Sequence, residues 1–325
     1  MNCDALLPQA RRTSRGVVLA ALASSAVLSR RAPGGGAEQA VVLGALALGM
    51  PHGAADTELL RAASRGSRPR HAALVAGYTL LAAGSTVIVR RGGKGIDRAV
   101  LLASAAHFGE GELACWRAAP VGRTRRRAAL RLVAAAVTTV GLPAAVGTAN
   151  RRPAEVGLTG ALDGAVGTPR AVGERTGWAL LRDARTRRVV APLAVAAGMA
   201  TAALAASGDR EAAGDSALLT ALPLLAPPST AFAAYFGGWH ALRHTARVVD
   251  ALVADGDLPA QRSLPRAVVE LSRRSAWAAG VGLVGAGALA AADREHASDN
   301  AFAAVLGLTV PHMTTVALQL ARRGR

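Results

Sequence analysis

Val189-Val190-Ala191-Pro192-Leu193-Ala194-Val195-Ala196-Ala197-Gly198-Met199-Ala200-Thr201-Ala202-Ala203-Leu204 carries no charged side chain and follows directly on Arg187-Arg188. Roughly 17 to 25 apolar residues are what an α-helix needs to cross a bilayer, and a basic pair at one end suits the headgroup region. Runs of this kind recur between short arginine-bearing segments, over about 37–60, 71–89, 98–116, 128–149, 187–208, 216–244, 276–292 and 300–320, with a shorter candidate at 16–29. Lipid offers the backbone no partners, so each span must satisfy its own hydrogen bonds as a helix. The expected fold class is all-α, a polytopic transmembrane helical bundle of about eight spans.

The composition agrees. Of 325 residues, 51% are hydrophobic and 18% charged, which admits either two soluble domains or one membrane domain; the recurring runs decide for the second. A net charge of +17 would point a soluble protein toward nucleic acid. Here the arginines lie between apolar runs, as in Arg61 to Arg70, Arg90-Arg91 to Arg98, and Arg123-Thr124-Arg125-Arg126-Arg127. There they anchor spans at the interface and meet anionic lipid. The expected partner is therefore a lipid bilayer, with no nucleic acid, and the expected location is the plasma membrane. Cys3 and Cys115 form neither a disulfide framework nor a thiolate metal site. Residues 1–36 read as a basic N-terminal segment with a short apolar helix. Residues 37–325 read as a single membrane-embedded domain with extramembrane loops near 150–186 and 245–275, the first holding a short amphipathic piece around Trp178 to Leu181.

The histidines carry the chemistry. There are seven. His71 and His296 stand among arginines and acids, in Arg68-Pro69-Arg70-His71 and Asp293-Arg294-Glu295-His296, and read as solvated loop residues. His52, His107, His240, His244 and His312 fall in or beside apolar runs, where an imidazole without a partner is costly. In Trp239-His240-Ala241-Leu242-Arg243-His244 the two histidines are four apart, one helical turn, so both rings can reach one metal ion. A lone HxxxH also arises by chance on solvated helices. His107, nine residues after Arg98, lies about 13 Å along its helix, near mid-membrane. It precedes Phe108-Gly109-Glu110-Gly111-Glu112, placing two carboxylates at a depth where they must bind or pair; the bland alternative is a short loop dipping at the glycines. Pro51-His52 and Pro311-His312 put proline kinks beside histidines. Asp56, one turn on from His52, can accept from an imidazole N–H, or it and Glu58 can begin a wet loop. Arg243 can snorkel or pair with Glu110 or Glu112. The run at 71–89 carries Tyr78 and reads as scaffold, and Pro223, Pro227 and Pro228 should break the run at 216–244.

Pro51-His52-Gly53-Ala54 with Asp56, His107-Phe108-Gly109-Glu110-Gly111, Trp239-His240 through Arg243-His244, and Pro311-His312-Met313 occur in order. In this the chain resembles the bacteriorhodopsin-related-protein-like (Brp/Blh) family of membrane β-carotene 15,15′-dioxygenases, over about residues 40–320. The resemblance implies a non-haem Fe(2+) enzyme that splits the central double bond of β-carotene with dioxygen into two retinals, often for a retinal-binding rhodopsin. It implies catalytic iron ligands at His52, His107, His240 and His244, with His312 as a further ligand or a support to one. Asp56, Glu110, Glu112 and Arg243 would then hold imidazoles rather than ligate. Thr57 and Glu112 stand where the family commonly has His and Asp, and aromatic residues make up only 3% of the chain. Competing readings are a divergent member acting on another carotenoid, a haem-binding protein, and a metal or proton transporter lined by the same histidines.

Overall fold

The structure, a computed structural model, describes residues 6–28, 49, 52–91, 94–117, 124–149, 176–292 and 307–319. Cys3, Pro51, His296, most of the run at 37–60 before His52 and most of the loop near 150–186 lie outside the described residues. Among the described residues every regular element is helical. In chain order these are α1 (Leu6–Leu28), α2 (Asp56–Ala63), α3 (Arg68–Arg91) and α4 (Lys94–Arg117), then α5 (Arg125–Ala135), a π-helical stretch at Ala136–Gly141, and α6 (Leu142–Ala149). There follow α7 (Gly177–Leu180), α8 (Ala184–Ala206), α9 (Arg210–Leu225), α10 (Pro228–Ala233), a second π-helical stretch at Ala234–His240, α11 (Ala241–Ala254) and α12 (Leu264–Ala292). A last helix, α13, is described over 307–319. The chain divides into two compact units. One comprises Met1–Arg11, Leu46–Val100 and Ala241–Arg325; the other comprises Arg12–Ala45 and Leu101–His240.

The first unit packs around Leu6, Ala10, Ala55, Leu59, Val249, Leu252 and Leu271. The helix over the N-terminal segment starts at Leu6, well before the apolar run that marks it in the sequence. Leu6 and Ala10 stand at i,i+4 and bury one face of the first turn, and Pro8 lies early enough in the helix to need no backbone donor. The Gln9 side-chain oxygen Oε1 accepts the backbone N–H of Leu264 at 2.9 Å, tying this turn to the start of α12. Residues 245–275, read as a polar loop, hold most of α11 and the first part of α12. There Arg274, with Arg273 behind it, hydrogen-bonds Glu270 and holds its carboxyl below the usual carboxylate range. Helix α13 crosses α3 closely. A Cβ on Gly307 would lie 2.8 Å from the Thr86 backbone nitrogen and 2.9 Å from its Cα, so only glycine permits this approach.

In the second unit α5, the π-helical stretch and α6 run on without a break, capped at the start by the Thr124 hydroxyl, which accepts from the Arg127 amide. Trp116, Ala134, Leu204 and Ala212 form one part of its core, and Leu142, Val146, Leu180, Val190 and Ala197 another. Two buried acids organise the polar side. Asp209 takes Arg131 at 2.6 Å, and Asp215 takes Arg15 at 2.7 Å and the Trp116 indole N–H at 3.1 Å. The break appears at Pro227 and Pro228, where α9 has ended, Ala226 turns extended and α10 restarts, whereas Pro223 lies inside α9 without ending it. The short helix α7 covers most of the amphipathic piece expected at Trp178 to Leu181.

Three described helices are long and apolar enough to cross a bilayer, at Arg68–Arg91, Arg125–Val146 and Thr186–Ala206. They turn apolar side chains outward. Leu80 is 74% exposed and Met199 68%, a surface that water penalises and hydrocarbon accepts. Among the described residues the protein is all-helical, and these three helices point to membrane association. The expected count of about eight spans exceeds the three that meet the length and hydropathy requirement among the described residues.

Candidate metal centre

In the first unit His52, His244 and His312 converge from three segments far apart in sequence. The ring centroids of His52 and His244 lie 5.5 Å apart, of His52 and His312 5.2 Å, and of His244 and His312 5.1 Å. All three side chains are buried. His52 Nδ1–H donates to the Gly49 carbonyl one turn back. That fixes the tautomer in which Nε2 carries the lone pair, as a metal-ligating histidine requires. His312 is held the same way by a side chain: its Nδ1 lies 3.0 Å from both carboxylate oxygens of Asp56. The Tyr78 hydroxyl donates to Asp56 Oδ2 at 2.9 Å. Asp56 therefore is an imidazole acceptor, as its sequence position suggests, and the imidazole it holds comes from 256 residues away. Asp56 and Glu58 are buried in α2, so the wet-loop alternative does not hold. Arg243, on the His244 helix, is also buried.

The second unit carries the other pair. His107 and His240 approach to 5.2 Å between ring centroids. Phe108 packs edge-on against His240 at 4.7 Å, and Tyr235 lies across Phe108 at 5.4 Å. Helix α4 passes through Gly109 and Gly111 unbroken, which removes the dipping-loop alternative for the His107 segment. Glu112 is 1% exposed and accepts the Trp239 indole N–H at 2.8 Å. That bond ties the carboxylate to the residue before His240, while Glu110 is half-buried one turn after His107. His240 ends the π-helical stretch, whose wider turn displaces the side chains after it from ordinary helical positions, a device frequent at functional sites. His71, read as a solvated loop residue, is half-buried near the start of α3.

Buried imidazoles, two of them held through Nδ1 by an acceptor and all set among apolar helices, fit a borderline divalent transition metal such as iron(II). The sequence model of the family described as Beta-carotene 15,15'-dioxygenase matches residues 43–319. The chain belongs to this family. As a β-carotene 15,15′-dioxygenase it acts on a carotenoid, and the matched region takes in every apolar-context histidine from His52 to His312. No curated protein and no solved structure matches it.

Tyr78 is the residue that sequence reasoning missed in this β-carotene dioxygenase. It lies in a run that reads as scaffold, and its bond to Asp56 spans two helices. One signal was present: Tyr78 is one of two tyrosines in the chain and lies in an apolar run, where a hydroxyl needs a partner.

Proposed function

We propose that this chain is a multi-pass plasma-membrane enzyme that uses histidine-held iron(II) to split the central double bond of β-carotene with dioxygen, releasing two molecules of retinal. The observation that carries this reading is the convergence of buried His52, His244 and His312 at ring distances of 5.1 to 5.5 Å in a carotenoid dioxygenase. Such a group has few uses other than binding a metal.

The proposed ligands are His52, His107, His240 and His244. Several features support them. His240 and His244 are one helical turn apart, the Gly49 carbonyl presets the His52 tautomer, and His107 shares the second unit's aromatic cluster with His240. An all-histidine set leaves coordination positions open, and the bound iron would activate dioxygen there. Asp56, Glu110, Glu112 and Arg243 act through the imidazoles, holding rings rather than touching the metal. Their burial or half-burial beside the histidines supports this role. The apolar helices do the remaining work: a long polyene partitions into the bilayer and reaches the histidines laterally, without crossing water. About eight spans would enclose such a site, and a retinal-binding rhodopsin is the natural consumer of the product.

Chelation tests the iron. Purified protein treated with a strong chelator should lose retinal formation and regain it on addition of Fe(II) but not Mg(II), since imidazole ligands select against a hard oxygen-seeking cation. Undiminished cleavage by protein free of iron would contradict the reading.

A further inference from the structure

We infer that His312 is a metal ligand of the proposed iron site and that Tyr78 and Asp56 are the positioning residues that aim it. The inference rests on the iron reading above. The geometry is that of a relay of fixed donors. The Tyr78 hydroxyl gives its hydrogen to Asp56 Oδ2 at 2.9 Å. Asp56, 1% exposed, in turn straddles His312 Nδ1 with both oxygens at 3.0 Å. A carboxylate astride Nδ1 accepts the N–H there, which makes Nε2 the nitrogen that would ligate a metal. That Nε2 is buried, and the His312 ring meets those of His52 and His244 at 5.2 and 5.1 Å.

Tyr78 contributes what Asp56 lacks alone. A carboxylate on a short side chain can swing about its terminal torsion, whose rotamers are broad. A second donor on Oδ2 fixes its plane and with it the direction of the imidazole. Three helices are involved: Asp56 opens α2, Tyr78 lies in α3, and His312 lies in α13. The close crossing at Gly307 and Thr86 brings α3 and α13 together. A histidine serving only as packing would need neither a bidentate carboxylate nor a tyrosine behind it.

The test uses the full-length protein purified in detergent and titrated with Co(II), whose visible absorption reports ligand number and geometry. The wild type, Tyr78→Phe, Asp56→Asn and His312→Ala are compared, with thermal unfolding recorded for each. The wild type should take up one Co(II) per chain. His312→Ala should shift the visible band and weaken binding by more than tenfold. Asp56→Asn should weaken it about 10- to 100-fold, the usual effect of removing a group that orients a metal-ligating histidine. Tyr78→Phe, which keeps the ring and removes only the donor, should shift the band and weaken binding several-fold while the protein still unfolds cooperatively. Wild-type Co(II) affinity and spectrum in folded Tyr78→Phe and Asp56→Asn, whatever their melting temperatures, would overturn the inference and leave the iron reading standing. A wild type that takes up no Co(II) or Fe(II) would overturn both.

Discussion

Single side chains in this protein are expensive to bury and therefore informative. Glu112 and Trp239 are both essentially inaccessible and joined by one hydrogen bond of 2.8 Å. A carboxylate in such a place depends strongly on its donors, and hydrogen bonds to charged groups contribute about 1.5 to 3 kcal/mol. Trp239→Phe, which keeps the bulk and deletes the indole N–H, should lower stability by about that amount, read as a fall in the detergent unfolding temperature. A variant as stable as the wild type would show that the bond does not hold the helix carrying His240. The same reasoning shows what the sequence concealed. The spacing of His240 and His244 is local and legible, because four residues make about one helical turn; that His240 meets His107 while His244 meets His52 and His312 is not. The Asp56 and His312 partnership spans 256 residues, and no local pattern encodes which helices meet. Tyr78 was hidden for the same reason: an apolar run containing one tyrosine looks like scaffold until its neighbour is known.

Helices place these side chains, and small local features set where each helix runs. The proline pair at 227–228 was readable in the sequence because proline cannot continue the α9 hydrogen-bond ladder, and the chain duly turns extended at Ala226. The π-helical stretch that follows was not readable, since no residue type demands the wider turn. The start of α1 at Leu6 was also missed: hydropathy marks the apolar run from Gly16, whereas the first turns are fixed by the two-residue stripe of Leu6 and Ala10. Gly307 has the clearest consequence. Its missing Cβ is what admits the Thr86 backbone, so Gly307→Ala must push α13 from α3 or distort both, at about 1 to 3 kcal/mol. The expected result is a lower unfolding temperature together with weaker Co(II) binding, because His312 moves with its helix. Normal metal binding in a destabilised Gly307→Ala protein would show that the crossing supports the fold but not the histidines.

At the scale of the molecule, the membrane is the solvent that makes the surface reasonable. Exposed apolar side chains along α3 and α8 have no stable home in water. Leu80 is 74% exposed near the middle of a helix long enough to span. Leu80→Arg should therefore raise the cost of insertion by about 2.5 to 3.5 kcal/mol, seen as a sharp loss of protein from the carbonate-washed membrane fraction. Equal amounts of wild type and variant in that fraction would argue that α3 does not face lipid. All-helical architecture was legible because only helices satisfy the backbone within lipid. The span count was less so, because hydropathy marks apolar length and cannot say which apolar helices cross the membrane.

The histidine site is the seat of the proposed carotenoid cleavage. Cleavage there is tested most directly by expressing the wild type and His240→Ala in a bacterial host that accumulates β-carotene, then quantifying β-carotene and retinal in extracts. The wild type should yield about two molecules of retinal for each β-carotene lost, as central cleavage of a symmetric substrate requires. His240→Ala should yield no retinal, because losing an essential group removes several orders of magnitude of rate. Undiminished β-carotene with folded, iron-loaded wild-type protein, or equal retinal from the His240→Ala variant, would contradict cleavage at this site.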